Sequence, residues 1–460
     1  MGVVMKFGGT SVADPDAIAR LIGIVRHQRE RSDASTPPVV VVSALAGVTD
    51  QLVAVARMAE DGDADRAAAA LHALLDRHLA VATAVTNQSR PALLAQVNHE
   101  LNELAALVHA LAVLREVSPR SQDAVLAVGE LVSSRIVAAA LADDGVPSAW
   151  VDARTVLITD AEHTGAAPDM IATCERAREH VAPANAGGKV VVLGGFIGAT
   201  ANGVTTTLGR GGSDYSAAIF GACLGVDEIQ IWTDVDGMLT ADPRIVRDVQ
   251  VVPHLSFAEA SELAYFGAKV LHPATIQPAV ARNIPVRILN SRRPEDPVGT
   301  LITRERPPSA SPLTAVASKT GVTVVDITST RMLMAHGFLR RIFEVFEQHR
   351  ISVDVVTTSE VSVSVTIDDA RRVPEAMETL RGVADVTRED GMAILCAVGE
   401  GLQDDPAVVR DLLAATGGVP IRMVSQAAAR RNITLVLKAD DLAPTLERVH
   451  DRFFRRVETT

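Results

Sequence analysis

At 460 residues, with 48% hydrophobic side chains and a mean hydropathy of +0.20, the chain has the length for two or three domains and the material for sizeable cores. A formal net charge of -12 and a pI near 5.5 exclude general nucleic-acid binding and adhesion to anionic membrane. Apolar runs such as 39–48 are too short to cross a bilayer, and the first residues lead into a glycine turn rather than a signal peptide. Cys174, Cys223 and Cys396 show no metal or disulfide spacing and read as buried apolar residues. A soluble, cytoplasmic protein is expected.

Residues 3–7 read as a buried strand that breaks into Gly8-Gly9, followed by a helix from Asp14 or Pro15 to about Glu30. Lys6 would set an ammonium at the carboxyl edge of a sheet, where phosphates are held. Taken alone it reads more readily as a strand-end lysine reaching to water. A second strand follows at 39–43. Residues 51–117, rich in alanine and leucine at helical spacing, predict helical hairpins that form a packing and oligomerisation layer. A further helix is expected from 127 to about 141, with Glu130 in its first turn serving the dipole, then a strand and loop at 147–156.

The most informative stretch is 189–244. A β-branched strand ends at Gly194-Gly195, and a threonine-rich loop runs to Leu-Gly-Arg-Gly-Gly-Ser-Asp at 208–214. This opens a helix for which Ser213 and Asp214 are good N-caps. A helix N-terminus fronted by glycines and Arg210 suits an anion. The next strand, 228–232, ends at Thr233-Asp234, and two such strand ends side by side make a ligand crevice. A turn then presents Arg244, 256–265 reads as helix, Lys269 stands close to Gly267, and a strand at 284–289 closes the domain. The composition of 292–312 is that of a linker. Beyond it, strands at 322–328, 353–357, 361–367, 392–398, 421–425 and 433–437 alternate with helices at 337–349, 372–380, 406–415 and 442–453. They spell two ferredoxin-like units of about 60–70 residues each. Open sheet edges in such units pair with each other or across a dimer, and small-ligand binding fits them better than catalysis.

Lys6 with Gly8 and Gly9, Glu130, Arg210, Gly211, Ser213, Asp214, Thr233, Asp234, Arg244 and Lys269 together describe a site rich in cations and glycine amides, the inventory phosphoryl transfer needs. No P-loop, protein-kinase or dinucleotide fingerprint is present.

KFGGTSVAD at 6–14, VSALAGVTD at 42–50, GE at 129–130, TTTLGRGGSDYSA at 205–217, WTDVDG at 232–237, TADPR at 240–244 and FGAKVLHP at 266–273 resemble aspartate kinase. GFL at 337–339 and SVDVVTTSEVSVSVTID at 352–368 resemble the regulatory ACT domain of its lysine-sensitive members. The resemblance implies an α/β chain: an amino acid kinase fold, a three-layer α/β/α sandwich, in 1–292, a linker in 293–313, and ACT units in 314–388 and 389–460 that can interleave. It implies transfer of the ATP γ-phosphoryl, with Mg²⁺ on the nucleotide, to the β-carboxylate of L-aspartate, the first step toward lysine, threonine and methionine.

By the same resemblance Lys6, Asp214 and Lys269 are catalytic. Thr49, Glu130, Phe196, Arg210, Gly211 and Ser213 receive aspartate, Phe196 also being readable as core. Lys6, Gly8, Gly9, Thr233, Asp234, Leu239, Arg244, Lys269 and Val270 receive ATP. Leu239 stands where many members carry tyrosine, which keeps an apolar surface for adenine and loses the phenol. No protein metal ligands are evident. Met332, Gly337, Phe338, Leu339, Ser352, Asp354, Thr358, Ser359, Glu360 and Val361 match an effector site for lysine between ACT units, with threonine left open. Ala335 replaces a family serine there, and Asp354 and Glu360 also read as ordinary surface carboxylates. A homodimer through the ACT units, or a tetramer of such dimers, is implied. Another acid or carbamoyl kinase, and a silent amino-acid sensor, are the competing readings.

Overall fold

The computed structural model describes residues 2–31, 36–267, 271–295, 299–307, 311–329, 336–402, 404–426 and 431–455. In chain order the elements are β1 (Val3–Phe7), α1 (Pro15–Arg31), β2 (Val39–Val42), α2 (Val48–Glu60), α3 (Ala64–Val85), α4 (Arg90–Leu114) and α5 (Pro119–Asp143). There follow β3 (Ser148–Trp150), β4 (Ile158–Thr159), α6 (Met170–His180), α7 (Ala182–Ala186), β5 (Val190–Gly194), β6 (Ile197–Thr200), β7 (Thr205–Thr207), α8 (Gly212–Leu224) and β8 (Glu228–Thr233). The remainder are β9 (His254–Ser256), α9 (Phe257–Tyr265), α10 (Gln277–Arg282), β10 (Val286–Asn290), β11 (Thr300–Thr303), β12 (Ala315–Thr328), α11 (Phe338–Gln348), β13 (Val356–Thr358) and β14 (Ser362–Ile367). Last come α12 (Val373–Arg381), β15 (Asp385–Val398), α13 (Pro406–Ala415), β16 (Met423–Gln426), β17 (Asn432–Lys438) and α14 (Ala439–Phe454).

The chain divides into two compact units: Met1–Met238 with Val270–Arg306, and Leu239–Lys269 with Pro307–Thr460. Residues 239–269, part of the expected catalytic domain, group with the carboxyl-terminal part. Their packing shows why: Ala241 and Val246 share one core with Leu313, Val316, Ala393 and Leu446.

In the first unit the main sheet runs β3-β5-β2-β1-β8-β10-β11. All these pairings are parallel except β10 with β11. Strands β1, β2 and β5 are buried along their whole length, which is why they are almost unbroken valine and other apolar residues with no alternation. The chain leaves β1 toward β2 on one side and returns as β8 on the other, so the carboxyl end of β1 lies at a switch point of the sheet. The helices α2, α3 and α4 form the expected hairpins, packed through Leu52, Leu71, Leu74, Val97, Leu101 and Leu104. Helix α5 is long and apolar enough to cross a membrane by length and composition, yet it is mostly buried in this unit.

Three details differ from the sequence reading. Helix α5 begins at Pro119, after Ser118 caps Ser121 N, and not near 127. The stretch with linker composition contains β11, which pairs antiparallel with β10 from Val286↔Ile302 to Ile288↔Thr300. Cys174 on α6 and Cys223 on α8 are joined as a disulfide, because those two helices pack side by side; Cys396 alone is free and buried.

The second unit holds a six-stranded sheet in the order β13-β14-β12-β15-β17-β16, wholly antiparallel. Each half has the ferredoxin-like pattern, but β12 and β15 are 14 residues long and run through both halves. Separate cores lie under the two ends, one with Ile327, Phe338, Ile342, Val363 and Leu380, the other with Leu395, Leu412, Leu435 and Leu446.

Candidate functional site

The strand β1 leaves the main sheet at Gly8, whose N–H donates to Trp232 O at 3.1 Å and so ties the ends of β1 and β8 together. Lys6, one residue before the end of β1, is 9% exposed, and its Nζ lies 2.7 Å from Asp214 Oδ1. A pair this sheltered keeps more of its Coulomb attraction than a surface pair. Gly9 is required by a close approach: a Cβ there would stand 3.1 Å from Ala44 O.

Asp214 comes from the first turn of α8. The cap of that helix is Gly211, left-handed at φ 72°, so Ser213 and Asp214 lie inside the helix and do not cap it. Gly209 is left-handed as well, at φ 74°. Two such residues fold the chain sharply on either side of Arg210, which is exposed and has no side-chain partner among the described residues. An arginine held this way, at a helix N-terminus, is a bidentate anchor for a carboxylate.

Glu130 is the twelfth residue of α5, deep in the helix rather than in its first turn, and only 2% exposed. Its Oε1 accepts from Ala44 N at 3.1 Å, while Oε2 is buried without a protein partner among the described residues. Burial pushes its carboxyl up from 4.5 to about 8, against the smaller pull of the Ala44 amide. Gly194 at the end of β5 lets the helix approach, since a Cβ there would meet the Glu130 Cβ at 3.2 Å.

These groups line one cleft of about 510 Å³. It gathers Lys6, Gly9, Thr49, Glu130, Phe196, Arg210, Gly211, Ser213 and Asp214 from the expected site. Phe196 is left-handed at φ 65°, donates its N–H to Ser216 Oγ at 2.9 Å, and sits where a Cβ on Gly212 would touch its ring at 2.6 Å. It is half-buried, lining the cleft wall on one side and packed against the hydrophobic core of the unit on the other. Asp50, which ends the VSALAGVTD stretch, also lines the cleft, as do Gln122, Leu126 and Thr164, which nothing in their sequence context marked. A larger groove of about 900 Å³ lies between α1 and strands β8 and β10, and it holds none of the expected residues.

Other expected residues fall elsewhere. Gly8 adjoins the cleft, 3.5 Å from Lys6 Nζ at its would-be Cβ. Thr233 and Asp234 end β8 outside the cleft lining, with Asp234 3.6 Å from Arg292. Leu239 and Arg244 belong to the second unit, where Arg244 grips Asp242 through Nη2 at 2.6 Å. Lys269, Val270, Met332 and Ala335 lie outside the described residues.

In the second unit Gly337 caps α11 with φ 76°, Phe338 is buried, and Leu339 is exposed. Asp354 accepts from Tyr265 Oη and from Lys319 Nζ, the latter at 3.1 Å, and Lys319 also pairs with Asp368. Burial, then the neighbouring Asp354, raises the Asp368 carboxyl above its ordinary range. Ser352 is exposed nearby, while Thr358, Ser359, Glu360 and Val361 sit at the exposed turn of the β13–β14 hairpin. Asp354 N donates to Thr366 O at one end of that hairpin and Ser359 N to Ser362 O at the other. Asp354 and Ser359 are five residues apart along extended chain, about 16 Å, more than one amino acid reaches.

The Amino acid kinase family matches residues 1–290 and an ACT domain matches 395–453. Lysine-sensitive aspartokinase 3 of Escherichia coli (strain K12) is 35% identical, over 98% of this chain and 99% of its own. Two solved structures of E. coli aspartokinase III are each 34% identical. The complex with aspartate and ADP, in the R-state, superposes with a TM-score of 0.83 over 99% of this chain and 100% of that one. The complex with lysine and aspartate, in the T-state, gives 0.80 over 98% and 99%.

Proposed function

The chain belongs to the aspartokinase family, and from that premise we propose how its cleft carries out the reaction. It is an ATP-dependent aspartate kinase of the amino acid kinase fold with carboxyl-terminal ACT units. The observation that carries the site reading is the Lys6–Asp214 pair, facing Arg210 and Glu130 across one small cleft.

The acceptor is a carboxylate, already ionised at neutral pH, so no general base is needed. The difficulty is bringing two anions together. Arg210 clamps a carboxylate of aspartate, and Glu130 takes its α-ammonium, which restores to that buried side chain the counter-charge it lacks. A β-carboxylate oxygen attacks the γ-phosphorus as the bond to the β-phosphate oxygen breaks and ADP leaves. Lys6 neutralises charge on the equatorial oxygens, Asp214 holds the ammonium in place, and the α8 N-terminus and glycine amides cradle the group in flight. We place the nucleotide near Gly8, Thr233 and Asp234 at the ends of β1 and β8, with Leu239, Arg244, Lys269 and Val270 as its further contacts by resemblance. Asp214 is engaged by Lys6 and Glu130 is buried, so Mg²⁺ fits best as a partner of the nucleotide phosphates.

Inhibition by L-lysine is our reading for the ACT units, supported by the lysine-sensitive relative and the lysine complex. The separation of Asp354 from the Ser359–Val361 turn favours an effector shared between two copies of the chain. Val356 and Val361, each 37% exposed on the edge hairpin, fit the homodimer contact this requires.

The test traps aspartyl phosphate as its hydroxamate, with ATP, Mg²⁺ and L-aspartate, with and without L-lysine. Turnover that lysine suppresses is expected. Turnover by Lys6→Ala at the wild-type rate would remove the catalytic assignment, and indifference to lysine would remove the effector.

A further inference from the structure

Asp123 is fully buried on α5, seven residues before Glu130 and therefore on the same helix face, about 10 Å along the axis. Its carboxylate accepts three donors from two other segments. His163 Nδ1 reaches it at 2.7 Å, Thr164 N at 3.1 Å and Thr207 Oγ1 at 2.6 Å. A buried carboxylate with every donor aimed at it fixes the groups that donate.

What it fixes is the ground beneath Arg210. Thr164 is left-handed at φ 69°, an outlying conformation for a β-branched residue, and its N–H is one of those held. Its carbonyl oxygen stands 3.1 Å from where a Cβ on Gly209 would be, so the loop backs directly onto Gly209. Ala166 N donates to Thr207 O at 2.9 Å, closing the loop onto β7 just before Leu208, Gly209 and Arg210. Arg210 itself has no side-chain tether among the described residues, so its aim depends on this backbone.

We infer that Asp123 is a positioning residue for aspartate binding: through Thr164, Thr207 and Gly209 it sets the place of the Arg210 guanidinium. The inference rests on the reading of Arg210 as the carboxylate clamp. A His–Asp pair invites a general-base role, but the acceptor carboxylate carries no proton to remove, and neither residue lines the cleft. One face of α5 thus serves both ends of aspartate, Glu130 by contact and Asp123 at one remove.

The test is steady-state kinetics of the full-length enzyme, varying aspartate and ATP separately. Asp123→Asn keeps the shape but offers an amide to a group of donors. It should raise KM for aspartate about tenfold and leave KM for ATP within about twofold. His163→Ala should shift KM for aspartate in the same direction, and His163→Asn, which can return an N–H to Asp123, should restore it. These two variants carry the test should Asp123→Asn fail to fold. Equal rises in both KM values, or a fall in kcat alone, would overturn the inference in favour of general scaffolding. Arg210→Lys separates the two readings. If it raises KM for aspartate while the Asp123 and His163 variants do not, only this inference fails. If it leaves KM unchanged, the clamp reading fails and takes this one with it.

Discussion

Replacing Glu130 by glutamine should stabilise the ligand-free enzyme in alkaline solution while weakening its hold on aspartate. The carboxyl is buried, its Oε2 has no partner among the described groups, and its pKa stands at about 8 against 4.5 in water. Ionising it in place therefore costs roughly 5 kcal/mol more than in the unfolded chain. Between those two values the folded state holds a proton that the unfolded state has lost, so this group makes stability fall as pH rises from about 4.5 to 8. Glu130→Gln has nothing to ionise. Its melting temperature should match the wild type near pH 4.5 and exceed it by about 10 °C at pH 8, at about 2 °C per kcal/mol for a unit of this size. Thermal unfolding of both proteins across that range, with and without L-aspartate, checks this. Aspartate should narrow the gap by supplying the missing ammonium to the wild type alone. Its apparent affinity for the wild type should rise with pH up to about 8, as Glu130 becomes ionised. A melting difference that is the same at both ends of the pH range would refute the buried-proton account, whatever its size.

Two further outcomes follow from contacts already described. The Cys174–Cys223 bond closes a span of 49 residues, so reduction should cost roughly 4 kcal/mol by chain entropy. Thiol titration in denaturant should find one group before dithiothreitol and three after, with a lower melting temperature; three thiols at the outset would show the pair to be reduced in the isolated protein. In the carboxyl-terminal unit Lys319 already places an ammonium on Asp354, the carboxylate to which our reading assigns an effector's ammonium. Lys319→Met should therefore lower the half-inhibitory L-lysine concentration severalfold in the hydroxamate assay, and an unchanged or raised value would show that the two ammonium groups do not compete.

The parallel core was legible because strands buried on both faces must be apolar throughout, and β2 and β5 are. The cluster of Lys6, Arg210 and Asp214 was legible because glycines and charges seldom crowd at strand ends without a ligand. The burial of Glu130 was not. Alanine and leucine at 127–141 drew attention to the middle of α5, although Ser118-Pro119, a cap followed by proline at the first helical position, marks its true start. The strands read at 322–328 and 392–398 are longer than expected: β12 and β15 begin at Ala315 and Asp385 and run through Gly321 and Gly391, each left-handed within its strand, and β12 changes register around Gly321. The disulfide was invisible because it depends on α6 lying against α8, a tertiary fact that no spacing records. Thr164 and Asp123 were missed for the same reason: their partners are far away in sequence.

The route of the chain between its units has a consequence for how such a protein can be cut or rearranged. The backbone passes from the first unit to the second at 238–239, returns at 269–270 and leaves again at 306–307. Were the regulatory part an appendage on a tether, deleting everything after residue 306 would release an unregulated kinase. Here the truncated product would still carry 239–269, with Ala241 and Val246 stripped of Leu313, Val316, Ala393 and Leu446. Its apolar face would meet water, and a loop bearing Leu239 and Arg244 would have no ground to stand on. In this architecture simple loss of the tail does not leave the kinase unit intact, so regulation by the carboxyl-terminal part is to be probed by point substitutions.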